Sequence, residues 1–321
     1  MIRYCFGQND LLRTRFAIAP LIELIGATYA LRYPDRFVVH RPWADWARPR
    51  TEHLDLPFLD AATPFGTRFW PVFVGPPPIT PHADIADELD RVAATPPERV
   101  CEEIMRTYPN GVPAAARPFA DDPVCALREL VRQMGAFWEA ALAPWWTAIS
   151  AVLESEIAAR ARSLVAVGSQ AAFDGLHQTV TWNKGTLYVH PTKKEPADVD
   201  LAGRGLLLIP AAFTWPNVWP RTDPPWDPAL VYPAPGIGNL WTPEERHENA
   251  LESLLGRRRA HILSELDRPA STLELARRLN ISPGGASEHL TILRRAGLVA
   301  RRREGRQVIY ARTRKGHSLC G

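Results

Sequence analysis

The sequence predicts a mainly helical α+β chain in two parts: an N-terminal α+β domain with a small sheet, then a smaller and more regular C-terminal domain. Three observations carry this. Proline and glycine punctuate the first 240 residues, whereas the stretch beyond Thr242 is proline-poor and periodic. Helical spacing of apolar residues recurs along both parts, while "TVTWNKGTLYV" at 179–189 alternates on a two-residue period. The charge divides as well, because residues 253–321 hold 15 Lys+Arg against 5 Asp+Glu and residues 1–252 hold 23 against 30. A basic domain on an acidic body points to an anionic partner for the basic part.

At 321 residues the chain exceeds one typical domain. The expected division is 1–241 and 242–316 with a tail at 317–321, and the first part divides further into 1–135 and 136–241. Within it, "FAIAPLIELIGATYALRYP" reads as a buried helix over 20–32, since Pro20 and Glu23 interrupt any span of membrane length. Further helices are expected at 83–94, 97–107, 123–133, 136–162 with a break near Pro144, and 163–175. The carboxylates of "HADIADELD" at 82–90 read as a solvated helix face. "VGPPPITPH" and "WPNVWPRTDPPWDP" cannot be helix or inner strand, because proline lacks the N–H donor and fixes φ. The alternation at 179–189 turns at Asn183-Lys184-Gly185, a β-hairpin signal. "GRGLLLIP" and "ALVYP" add strands to the same small sheet.

The boundary falls at "WTPEERHENALESLLG", where Thr242 caps a helix, Pro243 takes its first position and Glu245 completes a capping box. Leu255, Ile262 and Leu266 then share one helical face. Ser271 and Glu274 form a second capping box, and Leu275, Ala276 and Leu279 bury that helix. Asn280 stands where a left-handed residue must end it, Ile281 plugs the turn, and Ser282-Pro283 starts the next helix. Ala286, Leu290 and Leu293 face its core side and Gly297 closes it. Two short helices joined by a tight turn make a helix-turn-helix, and "LVARRREGRQVIYART" adds a hairpin whose tip, Glu304-Gly305, is flanked by arginines. That order is a winged helix.

The segment from "LLGRRRAHIL" to "QVIYART" closely resembles the DNA-binding domain of the ArsR/SmtB family of winged-helix repressors, on the signals "LLG-R-R-IL--L", "LA--L-IS", "S-HL--L--AGLV" and "R--GR---Y". "GRGLLLIPAAFTWP" and "LVYPAPGIGNLW" resemble the uncharacterised N-terminal domain that some bacterial regulators carry before such a winged helix. The resemblance implies a homodimer on double-stranded DNA with an inverted-repeat operator, the second helix of the motif lying in the major groove. By that analogy Ser282, Pro283, Gly284, Gly285, Ser287, Glu288, His289, Thr291 and Arg294 approach bases or nearby phosphates, and Arg301, Arg302, Arg303 and Arg306 reach phosphates from the wing. Glycines at the helix start let backbone N–H groups approach a phosphate at the positive end of the dipole. They present no side chain to a base edge, so direct readout rests on Ser287, Glu288 and Thr291. His289 is read either at the DNA or packed at the helix edge. Two features depart from the family: "STLELARR" lacks the Cys-containing pair of the metal sensors, and no dimerisation helix follows the wing in "RKGHSLCG".

The remaining chemistry is sparse. The four cysteines are far apart without a C-x-x-C pair, which fits a reducing cytoplasm and neither a disulfide framework nor a zinc site. Cys5 reads as a buried small residue. His317 and Cys320 sit at an expected frayed terminus and do not make a closed metal site. G-x-G in "GIGNLW" lacks its third glycine, and neither a P-loop nor G-x-S-x-G occurs, so no catalytic residue, metal or cofactor is assigned. Trp182, Trp215, Trp219 and Trp226 are candidates to line an aromatic pocket for an apolar small-molecule effector, with core packing as the alternative. The expectation is therefore a cytoplasmic, homodimeric, sequence-specific DNA-binding repressor without a membrane partner, under ligand control through the N-terminal domain. The alternatives are an architectural, constitutive DNA binder and a DNA-tethered enzyme.

Overall fold

The computed structural model describes residues 1–191, 196–224, 226–241, 251–304 and 307–319, and groups the chain into two compact units, Met1–Trp241 and Thr242–Gly321. No helix among the described residues is long and apolar enough to cross a membrane.

The first unit opens with β1 (Ile2–Cys5), α1 (Gln8–Arg13) and β2 (Arg15–Phe16), then α2 (Pro20–Arg32), α3 (Arg41–Thr51), α4 (Pro57–Ala62), α5 (Ile85–Ala93), α6 (Pro97–Thr107), α7 (Pro118–Asp121), α8 (Pro123–Ala141) and α9 (Trp146–Val167). Short strands follow: β3 (Val180–Asn183), β4 (Thr186–Val189), β5 (Ala197–Asp200), β6 (Leu207–Ala211), β7 (Trp219–Arg221) and β8 (Ala229–Pro233). Proline explains many of the helix starts. α2, α4, α6, α7 and α8 each begin on one, at the position whose N–H has no helical partner anyway.

Several boundaries differ from the sequence reading. α8 runs unbroken through Gly135 to Ala141, so a division at 135/136 would cut a helix. The break near Pro144 is a short 3-10 turn, Ala143–Trp145, and α9 continues to Val167 before Gly168 stops it at φ 107°. Prolines at 42 and 49 concealed α3. The capping box at Thr242, Pro243 and Glu245 lies outside the described residues.

The strands form two sheets rather than one. The first has the order β3-β4-β1-β5, with β1 antiparallel to β4 and parallel to β5. The second has the order β2-β6-β8-β7, in which β6 and β8 are parallel and β7, from the proline-rich stretch, lies at the edge. That edge place suits Pro220, which has no ladder donor to offer. Successive side chains of β6 and β8 point to opposite faces. Leu208, Leu230 and Tyr232 join Ile2, Tyr4, Leu187 and Val189 between the sheets, while Leu207, Ile209, Ala229 and Val231 face Ile22 of α2. Cys5 is exposed, contrary to expectation, because the same alternation buries Ile2 and Tyr4 and turns Arg3 and Cys5 outward. The helices α2 to α7 pack around α8 in a larger core that includes Trp43, Phe73, Phe137 and Phe213.

Buried acids tie these layers together. Glu23 accepts N–H bonds from Ala212 and Phe213 at 2.6 and 3.0 Å, and Glu103 accepts the Phe73 N–H at 2.8 Å. Glu88, read from sequence as part of a solvated face, is buried and accepts the Leu21 N–H at 2.8 Å. α2 lies so close to the 212–213 turn that a Cβ on Gly26 would sit 2.5 Å from the Phe213 Cβ and 2.9 Å from its carbonyl oxygen.

The second unit contains α10 (Arg257–Glu265), β9 (Ala270–Ser271), α11 (Thr272–Arg278), α12 (Pro283–Arg295), β10 (Val299–Glu304), β11 (Gln307–Arg312) and α13 (Arg314–Ser318). Ile262, Leu263, Leu266, Leu275, Leu290 and Leu293 form its core, closed by Val299 and Tyr310 of the hairpin. β11 pairs with β10 on one side and β9 on the other, all antiparallel. The expected frayed end is a short helix through His317 and Ser318, capped by the Thr313 hydroxyl. Gly316 packs so tightly there that a Cβ would meet the Leu298 carbonyl oxygen at 2.2 Å.

Two outcomes follow for stability. Gly26→Ala must push helix and turn apart and should cost about 1–3 kcal/mol in chemical denaturation, as overpacking against backbone does. Burial raises the Glu88 carboxyl to about 7, so the folded chain keeps a proton there that the unfolded chain loses above about 4.5. This contribution to stability is complete below about 4.5 and is lost as pH rises through about 7. Glu23, raised by burial to about 7, adds in the same direction. The melting temperature should therefore fall from pH 5 to pH 8, and Glu88→Gln, neutral throughout, should make that fall shallower.

Candidate nucleic-acid interface

α11 and α12 meet across a tight turn, and local chemistry fixes each end of it. The Ser271 hydroxyl accepts the Glu274 N–H while the Glu274 carboxylate accepts the Ser271 N–H at 2.7 Å, the reciprocal box the sequence spelled out. Those bonds to the charged form hold the Glu274 carboxyl below its ordinary value. α11 ends at Asn280, whose φ of 50° is left-handed. Ile281 packs against the core, and the Ser282 hydroxyl then accepts the Gly285 N–H at 3.1 Å to start α12.

Ala286, Leu290 and Leu293 bury one side of α12. At 100° per residue Gly284, Ser287, Glu288 and Thr291 lie on the opposite side, where Ser287 and Glu288 are exposed. Arg295 shares that outward face and is exposed. It was missed in the sequence, although the same projection that defines the core stripe locates it. The Thr291 hydroxyl donates to the Ser287 carbonyl at 2.8 Å, so its proton is committed within the helix. His289 is half-buried and its Nδ1 is enclosed, which places it at the helix edge beside the core. Arg294 is half-buried on the flank.

Nothing in the described chain requires Gly284 to be glycine. A Cβ built on it meets no atom within 4 Å, and its φ is not positive. Helix geometry leaves its N–H among those without an intrahelical acceptor, directed out of the positive end of α12. The start of this helix is therefore smooth and open and presents the Gly284 N–H, since Pro283 has none and the Gly285 and Ala286 N–H groups donate to Ser282.

In the hairpin, Arg301, Arg302 and Arg303 stand opposite Tyr310, Ile309 and Val308. All three arginines are exposed, and the strand period turns Arg302 to one face and the other two to its reverse. Arg306 lies outside the described residues. Not every local arginine faces outward, since Arg312 donates to the last carbonyls of α10, Leu263 O at 2.6 Å and Ser264 O, where a cation suits the helix dipole.

The N-terminal unit contains a cavity of about 500 Å³. Of the four tryptophans proposed for a pocket, only Trp219 borders it. Trp182 instead stacks on Phe173 at 4.6 Å, Trp215 packs on the main core, and Trp226 lies under the Arg99 guanidinium. The ring lost its other candidates because core aromatics and proline-covering aromatics look alike in sequence. Trp70, Tyr29 and Phe65 take their place. No group of three or more His, Cys, Asp or Glu among the described residues could hold a metal ion.

Residues 257–302 match a family described as a helix-turn-helix domain, and residues 109–238 match a family of unknown function, DUF5937. Among solved structures the chain is similar to reduced HlyU from Vibrio cholerae N16961, with 32% identity over 24% of this chain and 90% of that one, at a TM-score of 0.20. A second structure of HlyU from the same organism matches at 28% identity over the same shares, with a TM-score of 0.19. No curated protein matches. With its capped two-helix motif and basic hairpin, and the family match over 257–302, the chain is a DNA-binding transcription regulator whose C-terminal winged helix-turn-helix resembles the ArsR/SmtB type, carried with an N-terminal domain of unknown function.

Proposed function

We propose that this regulator is a cytoplasmic homodimeric repressor that places α12 in the major groove of an inverted-repeat operator and is switched by a ligand of its N-terminal unit. The observation that carries the reading is the outward face of α12, open at Gly284 and polar through Ser287 and Glu288, on the same small domain as three exposed wing arginines. A helix N-terminus that accepts close approach of a phosphate fixes register, and the wing arginines add phosphate contacts. On this reading Glu288 accepts from cytosine N4. Two such domains related by a two-fold axis would read half-sites about one helical turn apart. The switch requires a ligand with unequal affinity for the DNA-competent and incompetent conformers. In the N-terminal unit the buried acids Glu23, Glu88 and Glu103 accept backbone N–H bonds and so serve the packing of that unit.

The test is binding of the purified chain to the intergenic DNA beside its own gene, titrated in salt against a scrambled duplex. Strong preference for the native fragment with a steep salt slope supports a sequence-specific regulator. Equal binding of both duplexes would replace it with an architectural binder, a reading to which the absence of side chains on Gly284 and Gly285 lends weight.

Two substitutions separate the parts of the interface. Gly284→Ala has room in the unbound chain and should raise its stability by about 0.5–1 kcal/mol, as removal of a helical glycine does. The same methyl should weaken operator binding by about tenfold, and an unchanged affinity would show that nothing approaches this turn. Arg301→Ala with Arg302→Ala should weaken binding to all duplexes alike and lower the salt slope by about two, with an unaltered slope removing both from the phosphate contacts.

A further inference from the structure

The cavity of the N-terminal unit has a composition that a merely imperfect core would not produce. Its volume of about 500 Å³ is that of a site for a drug-sized molecule. The deep wall is apolar and aromatic: Ile25 and Tyr29 of α2, Phe37, and Val72 are all buried. Trp219 meets Tyr29 edge-on at 6.0 Å, and Phe65 meets Tyr29 edge-on at 5.2 Å, so flat surfaces border the space from several sides.

Charge is the second observation. The ionised side chains lining the cavity are Arg36, Arg68, Arg221 and Asp223, an excess of cations, and Asp223 is also ion-paired to Arg106 at 2.8 Å. Arg221 is buried at the end of β7, with its guanidinium 4.3 Å from the centre of the Trp70 ring. Stacking occupies the face of a guanidinium and leaves its donors along the edge, in the geometry that matches a carboxylate or sulfonate. Glu103 and Asp223 contribute the negative field around it, and burial nevertheless lowers its pKa to about 10. Arg36 is exposed and stands over Phe65 at 5.3 Å, at the opening. A cationic ligand would meet like charge, and a neutral one would shield the buried guanidinium from water without replacing its acceptors.

We propose that this cavity binds a small aromatic anion: a flat ring system held among Tyr29, Phe65 and Trp219, with its carboxylate or sulfonate toward Arg221 and Arg36. The site stands on the N-terminal unit alone, and only its control of DNA binding rests on the repressor reading above.

The test uses the full chain without DNA and two dyes of like ring system, anilinonaphthalene sulfonate and neutral phenylnaphthylamine, titrated by fluorescence. The sulfonate should bind at a single site at least about tenfold more tightly than the neutral dye, and naphthoate should displace it where naphthylmethanol at equal concentration does not. Arg36→Gln, an exposed position, should weaken the sulfonate several-fold with little effect on the neutral dye, and Trp219→Ala should weaken both. Arg221→Met should remove the preference for the anion, provided its thermal transition stays cooperative. If it does not fold, the Arg36→Gln result decides. Equal affinity for the two dyes overturns the assignment of an anion. Dye binding unmoved by both Arg36→Gln and Trp219→Ala overturns the site. Naphthoate that binds yet leaves operator affinity unchanged upholds the site and overturns only its control of DNA binding.

Discussion

Backbone donors that no ladder or helix can take must be satisfied from elsewhere, and the N-terminal unit depends on buried acceptors to do so. Its prolines break regular pairing across 71–78 and 212–218, yet these segments run largely through the interior, where an unpaired N–H is costly. Glu23 receives two donors at 212–213, Glu88 receives the first free donor of α2, and Glu103 receives Phe73. Gln133 does the same from α8, its carbonyl oxygen accepting both Phe58 and Leu59 N–H at 3.0 Å. At the other edge Asp10 holds Gly7 and Gly205. The irregular backbone is thus pinned by long-range side chains, and the layers are held in register by the same bonds.

α2 is where these constraints converge. Its face at Glu23 and Gly26 is fixed against the turn that follows β6, while Ile22 meets the sheet. Ile25 and Tyr29 then have no choice of direction and form the wall of the cavity. Phe213, held by Glu23, packs on His40, Trp43 and Trp241. His40 is correspondingly kept neutral, since burial lowers its pKa to about 3 and its Nδ1 accepts the Trp241 indole N–H. The shape of the cavity is therefore set by packing on the far side of the helix, and not by the lining residues alone.

How much of this was legible in sequence varies with the range of the interactions. Ser271 with Glu274, Asn280, and Ser282 with Pro283 act within four residues of themselves, so their pattern named the C-terminal motif before any tertiary contact was known. The hairpin turn was equally local, with Lys184 and Gly185 both at positive φ. β1 and β5 pair in parallel across nearly the whole first unit, and four residues of alternation cannot announce a partner that distant. The acidic residues misled for the same reason. Glu88 on an amphipathic helix looks solvated until the chain brings Leu21 to it. At the candidate sites the exposed face of α12 followed from periodicity, whereas Arg221, Trp70 and Tyr29 meet only through packing and had no signal of their own.

The sparse face of α12 also bears on the oligomer the repressor reading requires. Gly284 and Gly285 offer no side chain, and the Thr291 proton is already committed, which leaves it a methyl and a lone pair. On the repressor reading Ser287, Glu288 and Arg295 remain as readers, and one good bidentate pairing supplies only about 1–3 kcal/mol of discrimination. Specific sites are typically about 4–10 kcal/mol tighter than bulk DNA. One copy of this helix reaches at most the lower end of that range, while its backbone and wing contacts add affinity for every sequence alike. Reading two half-sites doubles the discrimination without adding a residue. On the repressor reading, a helix this bare at its start works in pairs, with the spacing between copies supplying part of the specificity that its side chains do not.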